Sequence, residues 1–251
     1  MIHFSAIVPH RGATEELPRQ LRQVAEVLRG FGRPFEVLLV DDGPTNDAEA
    51  AAWRQRCDEV IPDARLLRLD RGGGLSAAIS AGIAAARGEV LIAMAAGGQY
   101  RAEQIGWLVE RLSRADLVVG RRQRPRWTKA WLAAAQLPRR LLLGLDARDP
   151  DCLFWAARRE AVERLALSAG MHRFLAPLVA ARGYRVGEIY VDCADSPRGA
   201  DDCLLSEESG PLLAAGNLLC AWWQRRHARP CEAREESPRF TSTAHPPRIA
   251  A

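Results

Sequence analysis

Apolar residues in this chain fall into short unbroken runs separated by stretches with helical spacing. "HFSAIVP" (3–9), "FEVLLV" (35–40), "ARLLRL" (64–69), "EVLIAM" (89–94) and "DLVVG" (116–120) have strand length and are apolar almost throughout. That is the pattern of strands covered on both faces. Between them the period lengthens. Residues 14–30 put Leu17, Leu21, Val24 and Leu28 on one face, with Thr14 as the expected N-cap and Gly30 as the stop. Residues 75–87 form an alanine-rich helix closed by Gly88, and 103–114 bring Ile105, Leu108, Val109 and Leu112 into one stripe. Strands and helices alternating in this way predict an α/β fold, a mostly parallel central sheet with helices on both faces.

Past residue 120 the pattern loosens. "RRQRPRWTKAWLAAAQLPRRLLLGLD" (121–146) mixes basic clusters with helical apolar spacing broken at Pro138. "LFWAA" (153–157), a helix over 158–168, another over 171–182 and a strand "VGEIYV" (186–191) follow. "GPLLAAGNLLCAWW" (210–223) is too short to span a bilayer and contains Asn217, so it reads as a packed or interfacial helix. Residues 1–226 are expected to form one domain. Residues 227–251, rich in Pro, Glu, Arg, Ser and Thr without periodicity, are expected to be a disordered tail.

Composition adds limits. The 251 residues, 48% hydrophobic and 26% charged, suffice for one sizeable core. The net charge of +4 is mild and nucleic acid is not expected as a partner. Lys129 is the single lysine, so the basic residues are arginines, whose planar fork suits phosphate. Six cysteines (57, 152, 193, 203, 220, 231) show neither a CxxC pair nor zinc spacing, and "MIHFSAIVPH" lacks a signal-peptide pattern. Reduced thiols, a cytoplasmic location and no zinc site are the expectation.

Two turns could carry chemistry. "GGGLSA" (72–77) has the form of a dinucleotide fingerprint, but Met94-Ala95-Ala96 stand where an acid should close the next strand. It reads as a tight turn with close helix packing, and the lack of G-K-[ST] excludes a P-loop. "LLVDDGPTND" (38–47) sets Asp41 and Asp42 at the end of a buried strand, where carboxylates can accept hydrogen bonds from a nucleobase or ribose. A polar turn with Asp47 as a helix cap is the competing reading. "RRQRPR" (121–126), "PRR" (138–140) and "WWQRR" (222–226) alternate bases with aromatics, either as a solvated surface or for anionic lipid, at about 1 kcal/mol per basic residue.

As an ordered set these pieces resemble the family-2 glycosyltransferases. The first strand ends in a proline ("AIVP", Pro9), the second in "VDDGPT", the third leads into "RGGGLSAAISAGIAAARGEV", and the fifth is "ADLVVGRR" (115–122). Closer still is the subgroup that transfers sugar to polyprenyl phosphate, whose D-x-x-C-x-x-x-A-x-R-R segment is matched by "RDPDCLFWAARRE" (148–160). The resemblance implies a GT-A (nucleotide-diphospho-sugar transferase) fold, a nucleotide or nucleotide sugar as ligand, and polyprenyl phosphate or a membrane surface as the other partner. It implies nucleotide contacts at Pro9, Asp41, Asp42 and Gly74, phosphate contacts at Arg71, Arg121 and Arg122, and reaction-side roles for Gln99 and Asp149.

The same resemblance marks losses. The family's Asp-x-Asp, separated by one residue from a Gln matched by Gln99, falls on Ala95 and Gly97. Those acids hold Mg²⁺ or Mn²⁺ in the family, and alanine and glycine side chains cannot ligate a hard cation. The Asn-Glu pair after the first strand reads "RGAT" (11–14), and the basic segment for phosphate reads "CADSPRGADDC" (193–203). Metal-dependent transfer is therefore expected to be impaired, with Arg11, Arg71, Arg121 and Arg122 as the available cations. The alternative is a non-catalytic relative that binds a nucleotide or a partner.

Overall fold

The computed structural model describes residues 2–11, 16–43, 55, 57, 59–61, 64–69, 73–97, 99–122, 149, 152–165, 167, 169–193 and 211–227. Among these, seven strands form one sheet: β1 (Phe4–His10), β2 (Phe35–Asp41), β3 (Arg65–Arg68), β4 (Val90–Met94), β5 (Leu117–Arg122), β6 (Phe154–Arg158) and β7 (Val186–Val191), in the order β3-β2-β1-β4-β6-β5-β7. β6 pairs antiparallel with both β4 and β5, and every other pairing is parallel. The five apolar runs read from sequence are therefore strands in a mostly parallel sheet. "LFWAA" supplies the sixth, wedged in reverse between β4 and β5.

Burial explains the uninterrupted apolar runs. All residues of β1 and β4 are buried, because helices cover both faces. Helix α1 (Leu17–Gly30) presents Leu17, Leu21, Val24, Ala25 and Leu28 to the core, and it also buries Gln20. Helix α2 (Gly74–Ala85) packs on β1 and β2. A 3₁₀ turn (Ala102–Gln104) runs into α3 (Ile105–Arg111), which packs on β5, β6 and β7. After α4 (Arg159–Val162), a second 3₁₀ turn (Met171–Phe174) leads into α5 (Leu175–Ala181), and α6 (Pro211–His227) packs against both.

Several boundaries differ from expectation. The first helix begins at Leu17 with Pro18 in its first turn, a position where the missing N–H costs nothing. Thr14, expected as its cap, lies outside the described residues. The helix expected over 158–168 is only Arg159–Val162, since β6 claims Arg158 as its last residue. That expected over 171–182 divides into the 3₁₀ turn and α5, with Gly170 at φ 74° before it. Residues 228–251 of the expected tail, and 123–148 with most of the basic clusters, also lie outside the described residues.

The amino-terminal edge of the sheet is tied by a buried carboxylate. Glu36 of β2 accepts the Ser5 hydroxyl at 2.6 Å, the Arg65 guanidinium at 2.8 Å and the Arg87 N–H at 2.6 Å. Ser5 Oγ also accepts the Gly88 N–H at 2.8 Å. A Cβ on Gly88 would stand 2.7 Å from Phe4 and Ser5 backbone atoms, so only glycine lets the chain pass this close. Burial pushes the Glu36 carboxyl up, but the three donors and the arginine charge outweigh it and hold it below its usual value of 4.5. Such a group stabilises the fold above the unfolded-state pKa, and its contribution fades as pH falls through the lowered folded-state value. Glu36→Gln is expected to destabilise by about 2–3 kcal/mol at pH 7. Urea denaturation at decreasing pH should show that gap closing below the usual glutamate range.

Candidate active site

The carboxyl ends of β1, β2 and β4 meet at the point where the strand order reverses, the place where open α/β sheets bind ligands. Backbone bonds join them into one rim. Asp42 N–H donates to the His10 carbonyl at 3.0 Å, and Ala96 N–H to the Pro9 carbonyl at 3.1 Å. Ala95 N–H donates to the Leu153 carbonyl at 3.0 Å, which ties in the residue just before β6.

Asp41 and Asp42 are both buried. Asp41 Oδ1 accepts the Gly43 N–H at 3.0 Å, and Asp42 Oδ1 accepts the Gly73 N–H at 2.8 Å across the rim. Burial pushes the Asp42 carboxyl up, against the opposing pull of the Gly73 and Gly74 N–H groups and of Arg11, and the net direction is upward. Gly74 opens α2 directly beside this carboxylate. Each carboxylate retains lone pairs for a ligand hydroxyl or ring N–H, because an ionised carboxyl offers about four acceptor sites.

The turn after β4 contains no ligating side chain. Ala95 is buried, and Gly97 has φ 123°, a conformation an aspartate would adopt only under strain. Its polar groups are engaged inside the protein: Gln20 Nε2 donates to the Ala95 carbonyl at 2.9 Å, and Gln20 Oε1 accepts the Gly97 N–H at 3.1 Å. Among the described residues no group of three or more His, Cys, Asp or Glu could hold a metal ion. The Mg²⁺ or Mn²⁺ that the family resemblance implies does not fit the residues present at this turn.

Further along the rim, Asp149 and Arg122 form a buried pair. Arg122 Nε donates to Oδ2 at 2.8 Å, Nη2 to Oδ1 at 2.9 Å, and the Arg122 backbone N–H to Oδ2 at 3.0 Å. A fork-to-fork bond of this kind commits both charges to each other. Arg121, its neighbour on the opposite face of β5, lies over the exposed Tyr190 ring at 4.9 Å. Arg71 lies outside the described residues. Gln99 is buried, next to Tyr100, whose hydroxyl accepts the Leu153 N–H at 3.0 Å. Tyr100 stacks on Phe154, and burial keeps its phenol well above the usual range. Burial, with the Asp149 charge, pushes the Cys152 thiol to about 12, so it is no nucleophile at neutral pH.

Sequence reasoning missed three of these side chains: Gln20, Tyr100 and His172. His172 is held by Ser76 of α2, with Oγ 2.8 Å from Nδ1 and accepting the His172 N–H at 3.1 Å. A pocket of ≈ 20 Å³, room for about one water, lies between Asp149, Cys152, Trp155, His172 and Arg173. Gln20 left a legible trace, being three residues from Leu17 and four from Val24 on the apolar stripe of α1. Tyr100 and His172 left none, because their partners are 53 and 96 residues away in sequence.

Sheet order and rim together define a GT-A fold, and solved structures agree. Glucosyl-3-phosphoglycerate synthase from Mycobacterium tuberculosis, in complex with phosphoglyceric acid, superposes with a TM-score of 0.62 over 88% of this chain and 80% of that one, at 17% identity. Its complex with Mn²⁺, UDP-glucose and phosphoglyceric acid gives 0.61. The chain belongs to glycosyl transferase family 2, whose description matches residues 5–165. It is similar to the undecaprenyl-phosphate 4-deoxy-4-formamido-L-arabinose transferase of Pseudomonas paraeruginosa, 32% identical over 206 residues, 78% of this chain and 58% of that protein. It is also similar to the dodecaprenyl-phosphate galacturonate synthase of Rhizobium johnstonii, 28% identical over 239 residues, 91% of this chain and 69% of that protein. The chain thus spans under two thirds of the first relative's length.

The two adjacent arginines should separate cleanly in stability. Arg122→Ala takes the guanidinium from the buried Asp149 carboxylate and is expected to cost about 3–5 kcal/mol. Arg121→Ala removes a surface cation–π contact and should cost about 1 kcal/mol or less. Urea unfolding midpoints of the two variants against the parent chain check this.

Proposed function

We propose that this protein binds a nucleotide or nucleotide sugar at the β1–β2–β4 rim without a divalent cation, and that its sugar transfer to polyprenyl phosphate is impaired. The observation that carries this reading is the turn at Ala95–Gly97, which lacks carboxylates and whose three amides and Ala95 carbonyl are bonded within the protein. The relatives named for undecaprenyl- and dodecaprenyl-phosphate support the substrate class. In this reading Asp41 and Asp42 accept hydrogen bonds from the nucleoside, with Pro9 and Gly74 shaping its walls. Phosphate contact is assigned to Arg121, and to Arg71 by the family resemblance alone, whereas Arg122 fixes the direction of the Asp149 carboxyl. Asp149 then acts on the acceptor side as a held carboxylate. Gln99 lines the rim after the turn. A non-catalytic role, binding a nucleotide or a partner protein through the same rim, is the alternative within this reading.

Calorimetry with UDP, GDP and their sugars, in EDTA and in Mn²⁺, tests it. Binding is expected with dissociation constants equal within about twofold in the two buffers. Strictly Mn²⁺-dependent binding, or Mn²⁺-stimulated transfer to a short-chain polyprenyl phosphate, would overturn the reading.

A second observation supports a place at a membrane surface. Helix α6 packs through Asn217 and Ala221 while Leu219 and Trp223 are exposed, and Arg226 sits over the Trp222 ring at 5.5 Å. Aromatic and basic residues together suit the headgroup region. Among the described residues no helix is long and apolar enough to cross a membrane, so attachment through α6 would be peripheral, at the cytoplasmic face. Co-sedimentation with phosphatidylglycerol vesicles is expected to exceed that with phosphatidylcholine vesicles, and Trp223→Asp should reduce it several-fold. Equal sedimentation with both lipids removes the proposal.

A further inference from the structure

The apolar stripe of α1 has one polar member. Leu17, Leu21, Val24, Ala25 and Leu28 meet the core with hydrocarbon, and Gln20 meets it with an amide that is 2% exposed. Burying an amide is unfavourable unless its hydrogen bonds are remade, and a leucine would fill such a stripe without that requirement. Here both ends of the amide are used on one target. Nε2 donates to the Ala95 carbonyl, and Oε1 accepts the Gly97 N–H. These two bonds to a single turn also fix which end of the amide is nitrogen. Residues 20 and 95 are 75 positions apart, so the contact joins α1 to the end of β4 and closes no local loop.

The turn so gripped contains the two positions with no carboxylate. Its middle residue is bonded to β1 through Ala96 N–H and Pro9, and its first to Leu153 through Ala95 N–H. Gln20 therefore supplies the third tie, the only one of the three made by a side chain. Without it, Ala95 O and Gly97 N lose these partners, and a glycine at φ 123° has other conformations open to it.

We propose that Gln20 is a positioning residue for the ligand rim: its amide cross-links the β4 turn to α1 and holds it, with no cation, in the shape that receives the nucleotide. The inference rests on the reading that the rim binds a nucleotide. Gln20 touches no ligand in this account. It acts through the turn, and the turn acts through Pro9, His10 and Asp42, to which it is bonded in sequence along the rim.

Two variants test it, each compared with the parent chain by calorimetry with UDP in EDTA. Gln20→Leu preserves the apolar stripe and folding, and it removes both bonds. Nucleotide affinity is expected to fall about tenfold, and amide exchange at Gly97 to accelerate while that of β1 and β4 is unchanged. Gln20→Glu adds a pH signature. Its protonated carboxyl can donate to Ala95 O and accept from Gly97 N–H as glutamine does, whereas the carboxylate would face a carbonyl. Its affinity relative to the parent should therefore recover as pH falls through the buried glutamate's range, a dependence that general loosening of the fold would not produce. Parent-like affinity in Gln20→Leu, or a pH-independent ratio in Gln20→Glu, overturns the inference while leaving nucleotide binding standing. A parent chain that binds no nucleotide overturns the reading beneath it, and the inference with it.

Discussion

Strand β4 is bonded on both sides, parallel to β1 and antiparallel to β6, and all five of its side chains are buried. The position where β4 ends is therefore set by backbone pairing and apolar burial. The side chains that follow have no part in setting it. That constraint explains how the chain can keep the architecture of its family while carrying alanine and glycine at the point where ligands meet the sheet. The side chains at 95 and 97 take part in none of the pairings of β4. Fold and chemistry are separable here because different atoms carry them.

The turn has ties of its own. Gly97 has a backbone conformation that suits glycine, and the amide of Gln20 occupies the turn's polar groups. Reinstating an acid at position 97 alone would meet both obstacles: backbone strain of about 1–3 kcal/mol and a turn already bonded elsewhere. The amides of Ala95, Ala96 and Gly97 and the Ala95 carbonyl all have partners within the protein.

Much of the fold was legible in the sequence because buried parallel strands are continuous apolar runs, and β1, β2, β4 and β5 read as such. β6 was harder, since "LFWAA" is equally apolar as a strand or a buried helix end, and its reversed direction follows from partners 36 to 68 residues away. The helix expected over 158–168 starts one residue late because Arg158 is the last residue of β6, in register with Val90 across the sheet. At the rim, Asp41 and Asp42 were legible from their place at a strand end. The bond between Arg122 and Asp149 was not, because a phosphate-binding arginine and a structural arginine look alike in one dimension, and only geometry distinguishes a paired guanidinium.

Charge arithmetic closes the argument about the turn. Two aspartates and one divalent cation sum to zero, so losing all three leaves the net charge of the rim unaltered. What would differ is the distribution: the turn offers no point of concentrated positive charge, and the buried Asp41 and Asp42 lie on the same rim. Arg11 already acts on this field, since its charge pulls the Asp42 carboxyl down against the stronger push of burial. A guanidinium is a weaker Lewis acid than Mg²⁺ and cannot polarise a bridging oxygen as a metal does, but it can neutralise an anion through two directed bonds. Binding needs the second property and bond cleavage benefits from the first. On these grounds a rim holding a diphosphate through arginine in place of a cation would lose rate before it loses affinity.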